Sequence, residues 1–434
     1  MNIPVFFETR KVRKVAHKLT YRRREEEALS SHEQVMLRGY KRKILICQVK
    51  SKMGDDDKRK RVWEGMSKVF MGKYLDIIHD SYPPLPMAPG SLKRTIEDFS
   101  LDVCGPFFRF RRSELHRICK ALSFPEQMTL SNRESMAGEE VMLRGLYELV
   151  SGDSQFRIAE NVFGGGQPLQ SRAFSAFINH VYDNYEHLVH DNLKWFHDNG
   201  LLEESATAIG RKMESGIREW TPPPGFINIV CAFIDCNCLA TSCVGGGPTE
   251  SGANSMRWDP LIQEAFYNGW KSCNGLKHQT VDVAHGITID MKGPCSLRRN
   301  DLYVLRESNI NARMKALSRL YIFGDSAYKK QSNLTSYLCK EELPQEFKQW
   351  NNAMKSVRIS IEWNYGYTAS IFTYLGKKQK LKVLSGDTVA KVYTVCTILR
   401  NIRVMLRGSQ CSNYFGLTFQ DNFLEHYLTQ TPLR

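Results

Sequence analysis

The chain has 434 residues, 42% of them hydrophobic and 11% aromatic, and a formal net charge of +14. That length exceeds one ordinary compact core, so two or three domains are expected, and the positive excess points to a polyanionic partner. No apolar run approaches the roughly 20 residues of a membrane span, MNIPVFFETRKVRK lacks a signal-peptide pattern, and the 12 cysteines read as reduced thiols, so a soluble protein is expected.

Residues 1–24 hold eight basic residues against the single acid Glu8, and Lys58-Arg59-Lys60-Arg61 forms a second basic run. Such runs suit nuclear import or phosphate contact, and equally a solvated tail. Trp63, Phe70, Tyr74, Ile77 and Ile78 recur at helical spacing. The four prolines of SYPPLPMAPG (81–90) then forbid regular structure, which sets off a basic N-terminal segment, 1–90.

Residues 91–220 read as helical. FRFRRSELHRICKAL (108–122) aligns Leu115, Ile118, Cys119 and Leu122, and GEEVMLRGLYELV (138–150) aligns Val141, Met142, Leu146, Leu149 and Val150. A short helix to Phe163, a turn at Gly164-Gly165-Gly166 and a helix from Pro168 to Tyr182 give the outline of a helix-turn-helix over about 155–182. In that reading Gln167, Gln170, Ser171 and Arg172 face DNA. A helical hairpin in any bundle has the same spacing. KWFHDNGLLEESATAIGRKMESGIREW (194–220) adds one or two helices, and TPPPG (221–225) marks a boundary.

From 225 to 408 the texture is α/β, with strands and helices alternating, and 409–434 reads as a C-terminal tail. FINIVCAFID and LSRLYIFGD are strands closed by Asp235 and Asp325. A glycine-rich loop (243–255) and a helix (260–268) follow the first strand, and two strand pieces flank a turn at His285-Gly286. GPCSLRRND leads from a turn into a helix. ELPQEFKQWNNAMKS (342–356) is helical, as is VRISIEWNYG, which packs through Val357, Ile361, Tyr365, Phe372 and Leu375 and stops at Gly376. The last helix, 387–406, has Val389, Val392, Tyr393, Cys396, Ile398 and Leu399 on one side. Cys231, Cys236, Cys238 and Cys243 cluster near Asp235, but C-x4-C-x-C-x4-C matches no common zinc module, and buried thiols are the favoured reading.

Two strand-end acids and one helical acid, Glu362, suit one chemistry. Phosphodiester cleavage needs an activated water and charge neutralisation at the phosphate and leaving oxygen, which two divalent ions about 4 Å apart provide. Hard cations favour carboxylate oxygens. Each acid also has an ordinary explanation: Asp325 as a turn former, Asp235 as a cap and Glu362 as the ion-pair partner of Arg358 four residues earlier.

The acids are separated by 90 and 37 residues. The order of strand acid, strand acid and helix acid resembles the ribonuclease-H-like core of DDE transposases and integrases. The blocks AFIDCN, YNGWKSCNGLKHQTV, MKGPCSLRRND, IFGDSAY and VRISIEWNYG are similar, in this order, to those of Harbinger-type transposases over roughly residues 226–402. The resemblance implies a ribonuclease-H-like mixed sheet flanked by helices. It implies Asp235, Asp325 and Glu362 as catalytic acids, and two magnesium or manganese ions. It also implies double-stranded DNA as substrate, strand transfer, a homo-oligomer on DNA, a nuclear location and a Myb-like helper protein. Cys236-Asn237 replaces the Asp-Gly that often follows the family's first acid. Asp301 is a candidate accessory ligand, and Lys277, His278, Arg298 and Arg299 are candidate DNA contacts. The competing expectation is a non-catalytic DNA-binding or scaffold protein that keeps the fold.

Overall fold

The structure is a computed structural model that describes residues 43, 93–216, 222–223, 225–242, 264–317, 319–328, 331–338, 342–376, 381 and 387–430, with backbone alone at 387–390. The basic segment 1–90 apart from Lys43, Cys243, the loop 243–255 and residues 260–263 of the expected helix lie outside the described residues. The chain divides into two compact units, residues 1–87 with 129–135 and residues 88–128 with 136–434. In the first, residues 130–134 form a turn closed by Leu130 N–H donating to Glu134 O at 2.8 Å. The second unit contains both the helical region and the sheet.

Its helical part runs α1 (Leu101–Phe108), α2 (Arg112–Ala121), α3 (Gly138–Ser151), α4 (Gln155–Ile158), α5 (Gly166–Tyr185), α6 (His187–His190), α7 (Leu193–Asp198) and α8 (Leu201–Ser215). The expected apolar stripes are buried: Leu115, Ile118 and Leu122 around α2, and Val141, Met142, Leu146, Leu149 and Val150 on α3. Removing such side chains from water at about 25 cal/mol per Å² is what holds helices of this length.

A short α4, extended by a π-turn through Phe163, is joined to α5 by Gly164, Gly165 and Gly166, all at positive φ. Only glycine adopts three such conformations in succession without strain. The hairpin is therefore present, but α5 turns much of its length inward: Leu169, Gln170, Ala173, Phe174, Phe177, Ile178 and Val181 are buried. Gln170 does not face DNA as expected. It is fully buried, accepts from Arg144 Nη1 at 3.2 Å and donates to Glu148 Oε2 at 3.1 Å. Arg144 also donates to Phe163 O at 3.0 Å and Gly164 O at 3.3 Å, so a buried guanidinium satisfies the carbonyls that the glycine turn exposes.

The sheet comprises β1 (Val230–Ala240), β2 (Tyr267–Asn268), β3 (Cys273–Val283), β4 (Thr288–Ser296), β5 (Tyr321–Phe323) and β6 (Leu334–Thr335). β1 is central. It pairs antiparallel with β3, which pairs with β2 and β4, and it pairs parallel with β5, which carries β6. The result is a mixed sheet flanked by helices. Tyr267 and Asn268 are strand rather than the end of the expected helix, because they pair with Asn274 and Cys273 across a tight turn; among the described residues of that stretch, 264–266 are helical.

Between β4 and β5 stand α9 (Asp301–Ser308) and α10 (Ile310–Leu317), after which come α11 (Gln345–Ile371), α12 (Asp387–Arg407), α13 (Gln410–Phe415) and α14 (Phe423–Leu428). The stretches expected to be helical, 342–356 and the region around Glu362, form one helix, α11, closed by a 3-10 turn, Thr373–Gly376. Trp350, Ala353, Met354, Val357 and Ile361 of α11 pack with Ala208, Ile209 and Met213 of α8 onto Phe233 and Phe323 of the sheet. α12 is buried on more than one side, including Arg400 and Asn401. In the segment after 408, Cys411, Phe415 and Leu417 join the same core. Among the described residues no helix is long and apolar enough to cross a membrane.

Candidate metal-binding carboxylate site

Register places the first two acids. β1 and β5 run parallel with Phe233 opposite Phe323, so Asp235 and Asp325 each stand two residues beyond the same rung. β1 does not end at Asp235 as expected. It continues to Ala240 against β3, with Asp235 opposite Thr280, and it is β5 that stops. Asp235 thus lies on a strand where its parallel neighbour has just ended, which opens that edge of the backbone to a side chain or a ligand.

Asp235 Oδ1 accepts from the Cys236 amide at 2.7 Å. Asp325 Oδ1 accepts from the Ala327 amide at 2.9 Å, and the Asp325 carbonyl accepts from Tyr328 N–H at 3.1 Å. This turn fits because residue 324 is glycine: a Cβ there would lie 2.7 Å from the buried Tyr328 ring. The two carboxylates interact. Burial raises the carboxyl pKa of Asp235 most, and the charge of Asp325 raises it further. The Cys236 amide and Arg358 pull it down only partly, and the net shift is upward.

α11 brings the third acid to the same side. Val357 and Ile361 are buried against the sheet, which turns Arg358 and Glu362 along the edge of that face. Arg358 Nη1 donates to Asp235 Oδ2 at 3.1 Å and Nη2 donates to Glu362 Oε1 at 3.2 Å. The arginine side chain is 16% exposed and that of Glu362 49%. Burial works against the guanidinium charge, but a hydrogen bond with Tyr337 and the charges of Asp235 and Glu362 outweigh it, and the Arg358 pKa is raised. Tyr365, from the same helix, meets Thr280, the cross-strand partner of Asp235, at 2.8 Å.

Among the described residues, no three His, Cys, Asp or Glu side chains lie close enough together to hold a metal ion. The acids offer the oxygen donors that a hard cation takes, but the structure does not gather three of them in one place. Two carboxylates are fixed through one oxygen by backbone amides, and a guanidinium already occupies the cationic position between Asp235 and Glu362.

Asp301 does not join this group. Side chains alternate across a strand, and Lys277 stands opposite Cys238, on the face away from Asp235 and Thr280. There Lys277 Nζ donates to Asp301 Oδ1 at 2.6 Å and to Arg299 O at 2.7 Å. Burial disfavours its charge, yet Asp301 holds the ammonium pKa above its ordinary value. Lys277 is therefore a buried ion-pair partner rather than a phosphate contact, and Asp301 is its counter-ion. His278 is likewise no DNA contact. It is fully buried with its ring 4.5 Å from that of Tyr393, and burial lowers its pKa to about 3.

Arg298 and Arg299 are exposed. With Tyr303 and Arg306 they line an open pocket of about 660 Å³. Arg298 pairs with Glu264 at 2.8 Å, and Arg299 lies 4.6 Å over the Tyr303 ring. Gln167 is exposed and Arg172 half-buried. Cys231 is fully buried, its thiol pushed up to about 12 by burial. Cys236 and Cys238 are also raised, by burial first, so the three are protonated thiols.

The reach of Arg358 to Asp235 is the feature that sequence reasoning missed. Its spacing to Glu362 is visible in the chain, whereas Asp235 is 123 residues away. Arg306 was also missed, because its approach to Arg298 depends on how α9 leaves β4.

Residues 255–401, about a third of the chain, match the family model described as DDE superfamily endonuclease. The match takes in Asp325 and Glu362 and begins after Asp235. It supports a nuclease or transposase type of function and a DNA substrate for this part of the chain. No curated protein and no solved structure matches the chain.

Proposed function

We propose that the chain is a divalent-metal-dependent DNA endonuclease and transposase of the Harbinger type, with Asp235, Asp325 and Glu362 as its catalytic acids. One observation carries this reading. Two carboxylates lie two residues past one parallel rung, with the α11 acid joined to the first of them through Arg358. Two magnesium or manganese ions, when bound, would neutralise the phosphate and lower the pKa of an attacking water. The chain's own part is positional. Backbone amides aim Asp235 and Asp325, and the packing of Val357 and Ile361 sets the height of Glu362 beside them.

The resemblance also supports cutting at transposon ends, joining of the 3′-OH to target DNA and a nuclear site of action. Assembly of copies on DNA and a Myb-like helper protein belong to the same reading. The hairpin of α4 and α5, through Gln167 and Arg172, and the arginines at 298 and 299 are its proposed DNA contacts.

Nicking of supercoiled plasmid with magnesium or manganese tests the proposal. Asp325→Asn and Glu362→Gln should each lower the rate by roughly a hundredfold or more; unchanged nicking by both would refute it. A second reading, a DNA-binding protein without catalysis, is favoured by the guanidinium that already neutralises Asp235 and Glu362. It predicts DNA binding by the wild type with no metal-dependent nicking.

A further inference from the structure

We propose that the β2–β3 hairpin and the arginine pocket beside it form a stacking site for an unpaired stretch of DNA. Trp270 and Tyr267 take bases, and Arg298, Arg299 and Arg306 take the phosphates between them. The inference rests on the DNA-endonuclease reading above and names the form of DNA that this surface holds.

A single exposed apolar side chain is ordinary on a protein surface. This hairpin carries more. Of the five large apolar side chains exposed among the described residues, two stand on it, Tyr267 at 42% and Trp270 at 95%. Trp270 lies in the turn between β2 and β3, next to the exposed Lys271. An indole so placed adds nothing to the core, and its flat face suits stacking against another ring.

The turn is fastened to the pocket. Asn268 Oδ1 accepts from the Lys271 amide at 3.0 Å, and Asn268 Nδ2 donates to Leu297 O at 2.9 Å. One side chain therefore holds both the turn that carries Trp270 and the segment that leads into Arg298. Ser296 Oγ donates to Ala265 O, which ties the approach to β2 to the same segment. The open pocket of about 660 Å³ lies here, with Phe266, Arg298, Arg299, Tyr303 and Arg306 in its walls. Small-ligand sites span roughly 300–1,000 Å³, so a nucleotide has room.

Charge selects the occupant. Lys271, Arg298, Arg299 and Arg306 are exposed here against two exposed acids, Glu264 and Glu307. Arg298 pairs with Glu264, whereas Arg299 and Arg306 pair with no acid among the described residues. Arg299 lies 4.6 Å over the Tyr303 ring, a stack that keeps its N–H fork available to phosphate. A duplex presents phosphates but keeps its base faces stacked inside. Exposed rings interleaved with arginines match a single strand, whose bases stack on aromatic side chains while its phosphates meet cations. The stretch that matches the DDE superfamily endonuclease model includes this whole surface.

The test uses the full chain in EDTA, so that binding is read without cutting. Fluorescence anisotropy compares a blunt duplex with the same duplex carrying a single-stranded flank. The wild type should bind the flanked probe more tightly. Trp270→Ala should weaken that binding roughly tenfold and change blunt-duplex affinity by less than about twofold. At 95% exposure the indole can be removed without unfolding the chain. Trp270→Phe, which keeps a ring, should stay within about threefold of the wild type. Arg306→Gln should flatten the log–log salt dependence of flanked-probe binding by about 0.7, one single-strand phosphate contact. Lys348→Gln, an exposed charge on α11, should not. Equal wild-type affinity for the two probes, or an equal loss on both in Trp270→Ala, overturns the stacking site and leaves the DNA reading intact. Wild-type affinity of Trp270→Ala for the flanked probe does the same and assigns the hairpin to a protein partner. An unchanged slope in Arg306→Gln, or an equal change in Lys348→Gln, takes the phosphates out of the pocket and overturns the site. A wild type that binds neither probe overturns the DNA reading, and the site with it.

Discussion

His278 lies inside the sheet against Tyr393, with neither ring nitrogen hydrogen-bonded, and burial lowers its pKa from 6.5 to about 3. Between those two values the unfolded chain takes up a proton that the folded chain refuses. The unfolded state then binds more protons, so stability falls as pH drops through this window, by up to about 1.4 kcal/mol per pH unit from this one residue. His278→Phe keeps the ring contact and removes the proton site. It should be at least as stable as the wild type at pH 7 and should lose less stability at pH 4, as read from urea midpoints at both values. An equal acid loss in the two proteins would place the sensitivity elsewhere. Arg358 is the contrasting case, a charged group kept largely inside by partners on two elements.

The hairpin of α4 and α5 shows how an element can have the outline of a DNA reader while much of it serves packing. Its second helix turns Gln170 into a network with Arg144, Glu140 and Glu148. Leaving a buried guanidinium short of an acceptor costs about 1–3 kcal/mol, so Gln170→Ala should lower unfolding stability by that amount. Gln167→Ala, at an exposed position on the same helix, should stay within about 0.5 kcal/mol of the wild type. Denaturant titration separates the two. If the hairpin contacts DNA, Gln167→Ala weakens binding without a stability change, a combination that Gln170→Ala cannot produce.

On the scale of the whole molecule, residues 88–128 and 136–434 are one compact unit because the helical region and the segment after α12 both complete the sheet's surroundings. Tyr427 of α14 donates to Leu188 O at 3.1 Å and accepts from Asn401 at 3.2 Å, so a residue near the end of the chain ties α12 to the early helices. Phe415 and Leu417 lie in the core cluster beneath α11. A chain ending at Gly408 should therefore lose cooperative thermal unfolding and turn up in the insoluble fraction. A monomer with a sharp transition, by circular dichroism and gel filtration, would show that the C-terminal helices are dispensable.

Local pattern was enough to read the α/β texture, the glycine hairpin and the stripes of α2 and α3, because helical and strand periodicities and punctuation by glycine and proline are carried by neighbouring residues. That Asp235 and Asp325 end strands was half right: FINIVCAFID marks where apolar character fades, but strand length is set by pairing, and β3 carries β1 on to Ala240. Burial of Gln170, Lys277 and His278 was not legible, since a polar residue is held inside by partners such as Arg144, Asp301 and Tyr393 that lie far along the chain. The same is true of Asp301, whose face follows from the pleat of β3 and not from its own neighbourhood. Sequence alone singled out Asp235, Asp325 and Glu362 as the candidate acids. Only the tertiary structure decided their present company, because the register of β1 with β5 and the packing of α11 bring Arg358, rather than a third carboxylate, against Asp235.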